Sequence, residues 1–321
     1  MIDRREWLKL TATAGAALTL SPRLLEAFAR GDLVRDEMIT RTIPGTIESI
    51  PVIGLGSSAT FAALAGSDEA NVLGEVLSTL VEQGGAVFDT APGYAGGTSE
   101  EVAGQLVQDL GIVDQVFWAT KLNVARDGTA DPAAARAQVE TSFDRVGKDP
   151  IDLIQVHNMG DPAVQLPILR EYKEQGRVRY YGITTTFESQ YDDLISVMRN
   201  EPLDFIGTDY AVDNLFAEET ILPLAQERGI GVLVYAPFGR TRLWNRVEGR
   251  EVPDWAVEFD ATTWAQFFLK FVVSHPAVTA ATPATSQPHH MLDNLGGGMG
   301  RLPDEATRQR MVEYVDALPS A

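Results

Sequence analysis

The 321-residue chain contains no cysteine, which excludes disulfides, thiol nucleophiles and thiolate metal sites. Histidine is scarce at four residues, so a multi-histidine metal centre is not expected. Cations are in short supply too. Lys and Arg total 26 against 45 Asp and Glu, a formal net charge of -19. A surface of that sign repels phosphate backbones and anionic lipid, so nucleic acid is not an expected partner. No apolar run reaches the roughly 20 residues that a bilayer crossing requires, so stable membrane insertion is not expected either.

What the chain does have is apolar mass: 45% of its residues are hydrophobic, enough for one large α/β core or two smaller ones. The first 29 residues stand apart. Arg4-Arg5 leads into Glu6-Trp7-Leu8-Lys9, a mildly apolar run follows from Leu10 to Leu20, and Ala27-Phe28-Ala29 fits an A-x-A cleavage site. A basic start, an apolar middle and a small-residue end make an export signal. The paired arginines and the weak apolar run point to the twin-arginine machinery, and hence to an exported, periplasmic protein that folds over residues 30–321. The alternative is an amphipathic N-terminal helix on a cytoplasmic protein.

Beyond a β-like lead over 38–48, eight short runs rich in Val and Ile recur at 50–56, 86–90, 116–122, 151–157, 178–184, 205–210, 231–238 and 278–283. They are apolar on consecutive positions, as parallel strands buried on both faces are. Amphipathic segments separate them at 69–83, 99–110, 132–146, 162–176, 189–199, 216–228 and 262–273, and a last one starts near Gln287. Asp131-Pro132 and Asp161-Pro162 are start signals, and Gly147 and Gly176 are stops. Eight strand–helix units over this length predict a single-domain (β/α)₈ barrel. One competing motif, Gly54-Leu55-Gly56-Ser57-Ser58-Ala59, fits the dinucleotide fingerprint G-x-G-x-x-A. It is rejected because 59–66 reads as a loop, and because no acid closes a second strand about 20 residues on.

Barrel chemistry sits at the C-terminal ends of the strands. Reading those ends in order gives Asp89, Lys121 and His157, with Tyr94 on the loop after Asp89. Taken singly, each has an ordinary structural explanation. Together they make an acid catalyst. A free phenol has a pKa near 10, and a neighbouring ammonium lowers it toward useful proton transfer. A carboxylate holds the ammonium charged, and a neutral imidazole donates a hydrogen bond to a substrate oxygen. The set suits protonation of a carbonyl oxygen as a hydride from a cofactor reaches carbon.

These four residues, in the contexts FDTAPGY…SEE, ATK and DLIQVHN, together with LREYKEQGRVRYYGIT, ILPLAQERGIGVLVYAPFGR and TPATSQPHHMLDNL, resemble the aldo/keto reductase family over essentially all of the chain after residue 29. The resemblance implies a (β/α)₈ barrel that uses NADPH to reduce aldehydes and ketones, with Asp89, Tyr94, Lys121 and His157 as the catalytic tetrad. It also places Gly56, Ser57, Thr184, Thr185, Tyr235, Phe238, Thr285, His290, Asp293 and Asn294 around the cofactor. Within that set, Tyr235 matches a ring that stacks on the nicotinamide. Several positions depart from the pattern. Thr185 replaces an Asn, and Gly207 replaces a Gln that contacts the carboxamide. Ala284 and His290 stand where many members carry Lys and Arg, which leaves NADH open as the cofactor. The loop Ala95-Gly96-Gly97 is longer than usual beside Tyr94. The departures keep a second reading open, a non-catalytic nucleotide-binding barrel that serves as a redox sensor or accessory subunit. A barrel hydrolase or isomerase using Asp89 and His157 is a third.

Overall fold

The computed structural model describes residues 37–125 and 128–318. The expected export signal and the expected domain boundary at residue 30 lie outside the described residues. The chain starts with an antiparallel hairpin of β1 (Thr40–Thr42) and β2 (Ser49–Pro51). Eight strands follow in one parallel sheet, paired in strict chain order: β3 (Leu55–Gly56), β4 (Val87–Asp89), β5 (Phe117–Leu122), β6 (Ile151–Val156), β7 (Val178–Thr185), β8 (Phe205–Asp209), β9 (Gly231–Tyr235) and β10 (Ala280–Ala281). Parallel bridges from Ile53 to Ala281 and from Gly56 to Ala284 join the last strand to the first. The sheet is therefore closed, and the fold is the expected (β/α)₈ barrel. The dinucleotide-fold alternative needs an open sheet with a strand-order reversal, and the sequential closed order rules that out.

Alternation along the strands decides what reaches the barrel axis. Val87, Phe117, Ala119, Leu153, Phe205, Leu233 and Ala280 form one cluster with Ile43 and Ile50, so the hairpin closes one end of the barrel. Trp118, Leu122, Ile154 and Val156 belong to the larger cluster beneath the helices. Asp89 stands two residues beyond Val87, and Lys121 two beyond Ala119. The inward row that is apolar at the hairpin end therefore becomes ionisable at the other.

Helix starts follow the chemistry of the chain only in part. Asp131 caps helix Pro132–Val146 by accepting from the Ala133 amide at 3.0 Å, and Gly147 ends that helix at φ 66°. Helix Pro162–Glu174 does start at its proline, but Asp161 does not cap it; its carboxylate accepts from the Ala130 amide at 2.8 Å. Four segments differ from the periodicity. The run 50–56 divides between the hairpin and β3. The expected loop at 59–66 holds a short helix, Thr60–Ala65. Segment 216–228 breaks at Thr220 into Phe216–Glu219 and Ile221–Arg228, because Thr220 has φ −141°. A C-terminal helix, Glu305–Asp316, was not expected, although Asp304 caps it by accepting from the Thr307 amide.

Candidate active site

Asp89 ends β4, Lys121 is the penultimate residue of β5, and His157 directly follows β6. The barrel brings the first two into contact: Lys121 Nζ lies 2.6 Å from Asp89 Oδ1 and donates to the Thr90 carbonyl at 2.8 Å. Each residue is only 3% exposed. Burial pulls the Lys121 ammonium down, but the charges of Asp89 and Tyr94 and the hydrogen bond it donates to Asp89 overcome it, and the net shift is upward. Burial raises Asp89, while Lys121 and a hydrogen bond from Tyr235 pull it back.

The loop that carries Tyr94 is tightly wound. Ala95, Gly96 and Gly97 have φ of 48°, 65° and 103°, a left-handed run that suits glycine at its last two positions. A Cβ at Gly97 would push the Arg145 guanidinium aside, and the φ of 103° is what calls for glycine there. Arg145 is in turn held 3.3 Å from the buried Glu100, which also accepts from Thr120 at 2.6 Å and Ser142 at 3.0 Å. This anchor sets the phenol over the Asp89–Lys121 pair. Lys121 Nζ is 5.5 Å from the Tyr94 ring centre, and the His157 ring meets Tyr94 edge-on with centroids 6.0 Å apart. All four predicted catalytic residues are therefore neighbours, and the longer loop has not carried the phenol away.

The electrostatics correct one expectation. The Tyr94 phenol is raised from its ordinary value, not lowered. Burial is the largest cause; Lys121 and Arg240 pull down and Asp89 pushes up, and together they do not overcome burial.

Two further side chains complete the inward face. Tyr235, at the end of β9, points its hydroxyl to within 3.1 Å of Asp89 Oδ2 and 2.8 Å of Gln155 Oε1, and Lys121 Nζ lies 5.0 Å from its ring centre. The Tyr235 ring lies over Gly207 of β8, where an added Cβ would come within 2.8 Å of both Cζ and Oη. The glycine at the carboxamide position thus opens the space that the ring occupies.

The remaining predicted cofactor residues fall into two groups. Near the tetrad, Gly56 pairs with Asp89 across β3 and β4, and Ser57 follows it with a buried hydroxyl that has no hydrogen-bond partner among the described residues. Thr184 Oγ1 accepts from the Asn158 amide at 3.2 Å, while the Thr185 hydroxyl donates to Gln190 Oε1 at 2.5 Å and accepts from the Phe187 amide. The second group lines a cavity of about 500 Å³: Phe238, Thr285, His290, Asp293 and Asn294, with Trp244, Thr263, Trp264, Ala265 and Ala284. The aromatic part of that wall is continuous, with Phe238 and Trp244 centroids 4.8 Å apart. Trp255 packs on Phe259, Phe267 and Tyr314 instead. Asp293 Oδ1 accepts from Thr263 Oγ1 at 2.8 Å and from Gln266 Nε2 at 2.9 Å, and burial raises its carboxyl. His290 is lowered, by burial first and then by the neighbouring His289. Among the described residues, neither Lys nor Arg lines this cavity. An aromatic wall, a hydroxyl, an amide and a carboxylate in one slot can take up a nucleotide base and ribose.

The aldo/keto reductase family model matches residues 52–310. The chain belongs to the aldo/keto reductase family. It is 31% identical over 204 residues to aldo-keto reductase YhdN of Bacillus subtilis (strain 168), a match covering 61% of this chain and 60% of that protein. It is 29% identical over 188 residues to an NADH-specific methylglyoxal reductase of Escherichia coli (strain K12), covering 52% of this chain and 56% of that one. The matches therefore span about three fifths of the length of these curated relatives. Among solved structures, an aldo-keto reductase from Klebsiella pneumoniae in complex with NADPH superposes with a TM-score of 0.70 at 24% identity, over 88% of this chain and 98% of that one. At that identity the likeness shows the fold alone.

Within this aldo/keto reductase barrel, the sequence left Gln155 unread. Its signal was available: Gln155 lies two residues before His157 on a strand, so it shares the inward face. No sequence pattern pairs Gly207 with Tyr235, because the two meet only through the packing of neighbouring strands.

Proposed function

We propose that the protein is an NAD(P)H-dependent oxidoreductase that reduces the aldehyde or ketone group of a small-molecule substrate, with Tyr94 as general acid. The observation that carries this reading is the Tyr94 ring, set against both His157 and the ammonium of a buried Asp89–Lys121 pair. Tyr94 gives its proton to the carbonyl oxygen. His157 donates a hydrogen bond to the same oxygen and orients it. Lys121 opposes the burial that makes the phenol a weak acid, and Asp89 keeps Lys121 charged. Bound NAD(P)H supplies the hydride. Phe238, Thr285, His290, Asp293 and Asn294 would hold its adenosine end; Gly56, Ser57, Thr184 and Thr185, with the Tyr235 ring, would hold its nicotinamide end. Among the described residues no Lys or Arg lines the cavity, and a 2′-phosphate there would meet His290 and hydroxyl or amide donors. NADH and NADPH are therefore both substrates in this reading. The NADH-specific methylglyoxal reductase among its relatives supports the NADH part of that breadth.

The test is a titration of the purified protein with NADH and NADPH, followed by nucleotide oxidation in the presence of methylglyoxal and a panel of other small aldehydes and ketones. Trp244 and Trp264 line the cavity, so binding is expected to change tryptophan fluorescence. Absence of any nucleotide binding removes the proposal and brings forward the barrel hydrolase or isomerase. Binding without turnover across the panel favours the non-catalytic barrel. One observation already points that way: Gly207 offers no side chain to the carboxamide.

We further propose that residues 1–29 direct export through the twin-arginine machinery, on the strength of Arg4-Arg5, the apolar run from Leu10 to Leu20 and Ala27-Phe28-Ala29. Changing Arg4-Arg5 to Lys-Lys is expected to leave the protein in the cytoplasm. Unchanged export of that variant sinks the assignment.

A further inference from the structure

We infer that Tyr235 is a positioning residue for the proposed reaction: its hydroxyl donates to Asp89 from the side opposite Lys121, locks the carboxylate in its ionised form, and so keeps Lys121 charged beside Tyr94. The inference rests on the reductase reading of the site and adds to it a second phenol with a different task.

Proton counting at the Tyr235 hydroxyl leads to it. Oη lies within hydrogen-bonding distance of two acceptors, Asp89 Oδ2 at 3.1 Å and Gln155 Oε1 at 2.8 Å, yet a phenol has one proton to give. Gln155 is fully buried, and its Nε2 has no partner among the described residues. Turning the Gln155 amide over resolves the competition for the phenol proton and leaves Oε1, rather than the Nε2 donor, in the unpartnered position. Nε2 then donates to the phenol oxygen, and the phenol proton is free for Asp89, the stronger acceptor of the two. The result is a one-directional chain, from the Gln155 amide to the Tyr235 phenol to Asp89 Oδ2, with Lys121 donating to Oδ1 at 2.6 Å. Each carboxylate oxygen has its own donor.

Gly207 is what admits the ring to this position. A Cβ there would stand 2.8 Å from both Cζ and Oη and nearer still to Cε2, so any larger residue displaces the phenol. The absence of a side chain at Gly207 and the presence of a phenol at Tyr235 are one arrangement, made across the β8–β9 pairing.

The consequence for Tyr94 has a definite sign. Asp89 and Lys121 share a proton across a 2.6 Å contact in a site from which water is largely excluded. Moving that proton from Lys121 to Asp89 leaves both neutral without changing the total proton count. A hydrogen bond to Oδ2 holds the charged arrangement, and its loss favours the neutral one. In the neutral arrangement Tyr94 loses the pull of Lys121 together with the weaker push of Asp89, and its pKa rises.

The experiment compares the wild-type chain with Tyr235→Phe, Gly207→Ala and Tyr94→Phe. Tyrosine ionisation is followed by ultraviolet absorbance in the protein without nucleotide, and the step missing from Tyr94→Phe identifies Tyr94. In Tyr235→Phe, which keeps the ring over Gly207, that step is expected to move up by about one pH unit or more. In the alcohol-oxidation direction, which needs the ionised phenol, the rate limb should move with it, and below the limb the rate should fall about tenfold. Gly207→Ala should reproduce the shift with the phenol still in the chain. A Tyr94 step and rate limb unmoved in both variants overturn the inference. Because the absorbance titration needs no turnover, a protein that reduces no carbonyl defeats the proposed function while this measurement still decides the role of Tyr235.

Discussion

Tyr94→Phe is expected to lower carbonyl turnover by about 10²–10⁴-fold while leaving nucleotide affinity unchanged. The substitution removes one oxygen and keeps the ring that packs edge-on against His157 at 6.0 Å. What disappears is the phenol proton set beside both the His157 ring and the Lys121 ammonium. His157 remains to polarise the carbonyl, so a residual rate is expected. The raised pKa of Tyr94 adds a pH signature. Reduction needs the protonated phenol, so the wild-type rate should hold across the neutral range and decline only above the ordinary phenol value near 10. Alcohol oxidation needs the ionised form and should rise with pH over the same range. Steady-state rates of both proteins against pH check this. Full reduction activity in Tyr94→Phe would remove the general-acid assignment.

The barrel and the strand-end positions of Asp89, Lys121, His157 and the loop carrying Tyr94 were legible in the sequence because each rests on something local. Short Val/Ile-rich runs separated by amphipathic segments are a one-dimensional pattern, and a residue at the end of a run is at the end of a strand. The closure of the sheet adds only the contacts between Asp89, Lys121, Tyr94 and His157. What was not legible depends on neighbours in space. The sign of the Tyr94 shift is set by burial against charge, and only the folded chain fixes how far water is excluded. The pairing of Gly207 with Tyr235 crosses two strands. The division of 50–56 between the hairpin and β3 reflects a turn to antiparallel pairing with Thr40–Thr42, where Ile50 is drawn into the end of the barrel. Asp161 shows the same limit at a helix start: its carboxylate goes to the Ala130 amide of another loop, a partner 31 residues away.

Separating the Asp89–Lys121 pair is expected to give two variants whose stabilities change with pH in opposite directions. Asp89→Leu leaves a buried ammonium with the Thr90 carbonyl and without its counter-charge. Breaking a buried pair in this way costs about 3–5 kcal/mol. Lys121 then has a folded pKa below its unfolded value near 10.4, so the folded state binds fewer protons than the unfolded one and stability rises with pH. Lys121→Met leaves a buried carboxylate, which burial already raises in the intact pair. Its folded pKa then lies well above the unfolded value near 3.9. The folded state binds more protons, so stability is greatest below that value and is lost as pH rises toward the folded pKa. Asp89 can escape its penalty by taking a proton, so Lys121→Met should be the milder variant near about pH 5 and should lose that advantage near about pH 8. Urea unfolding at the two values measures both slopes. The double variant, with neither charge, should recover much of the stability lost in Asp89→Leu, because two apolar side chains replace an unpaired ion. If both single variants have the same slope, the two groups are not a charged pair in the folded protein, and the support they give to Tyr94 must come from shape alone.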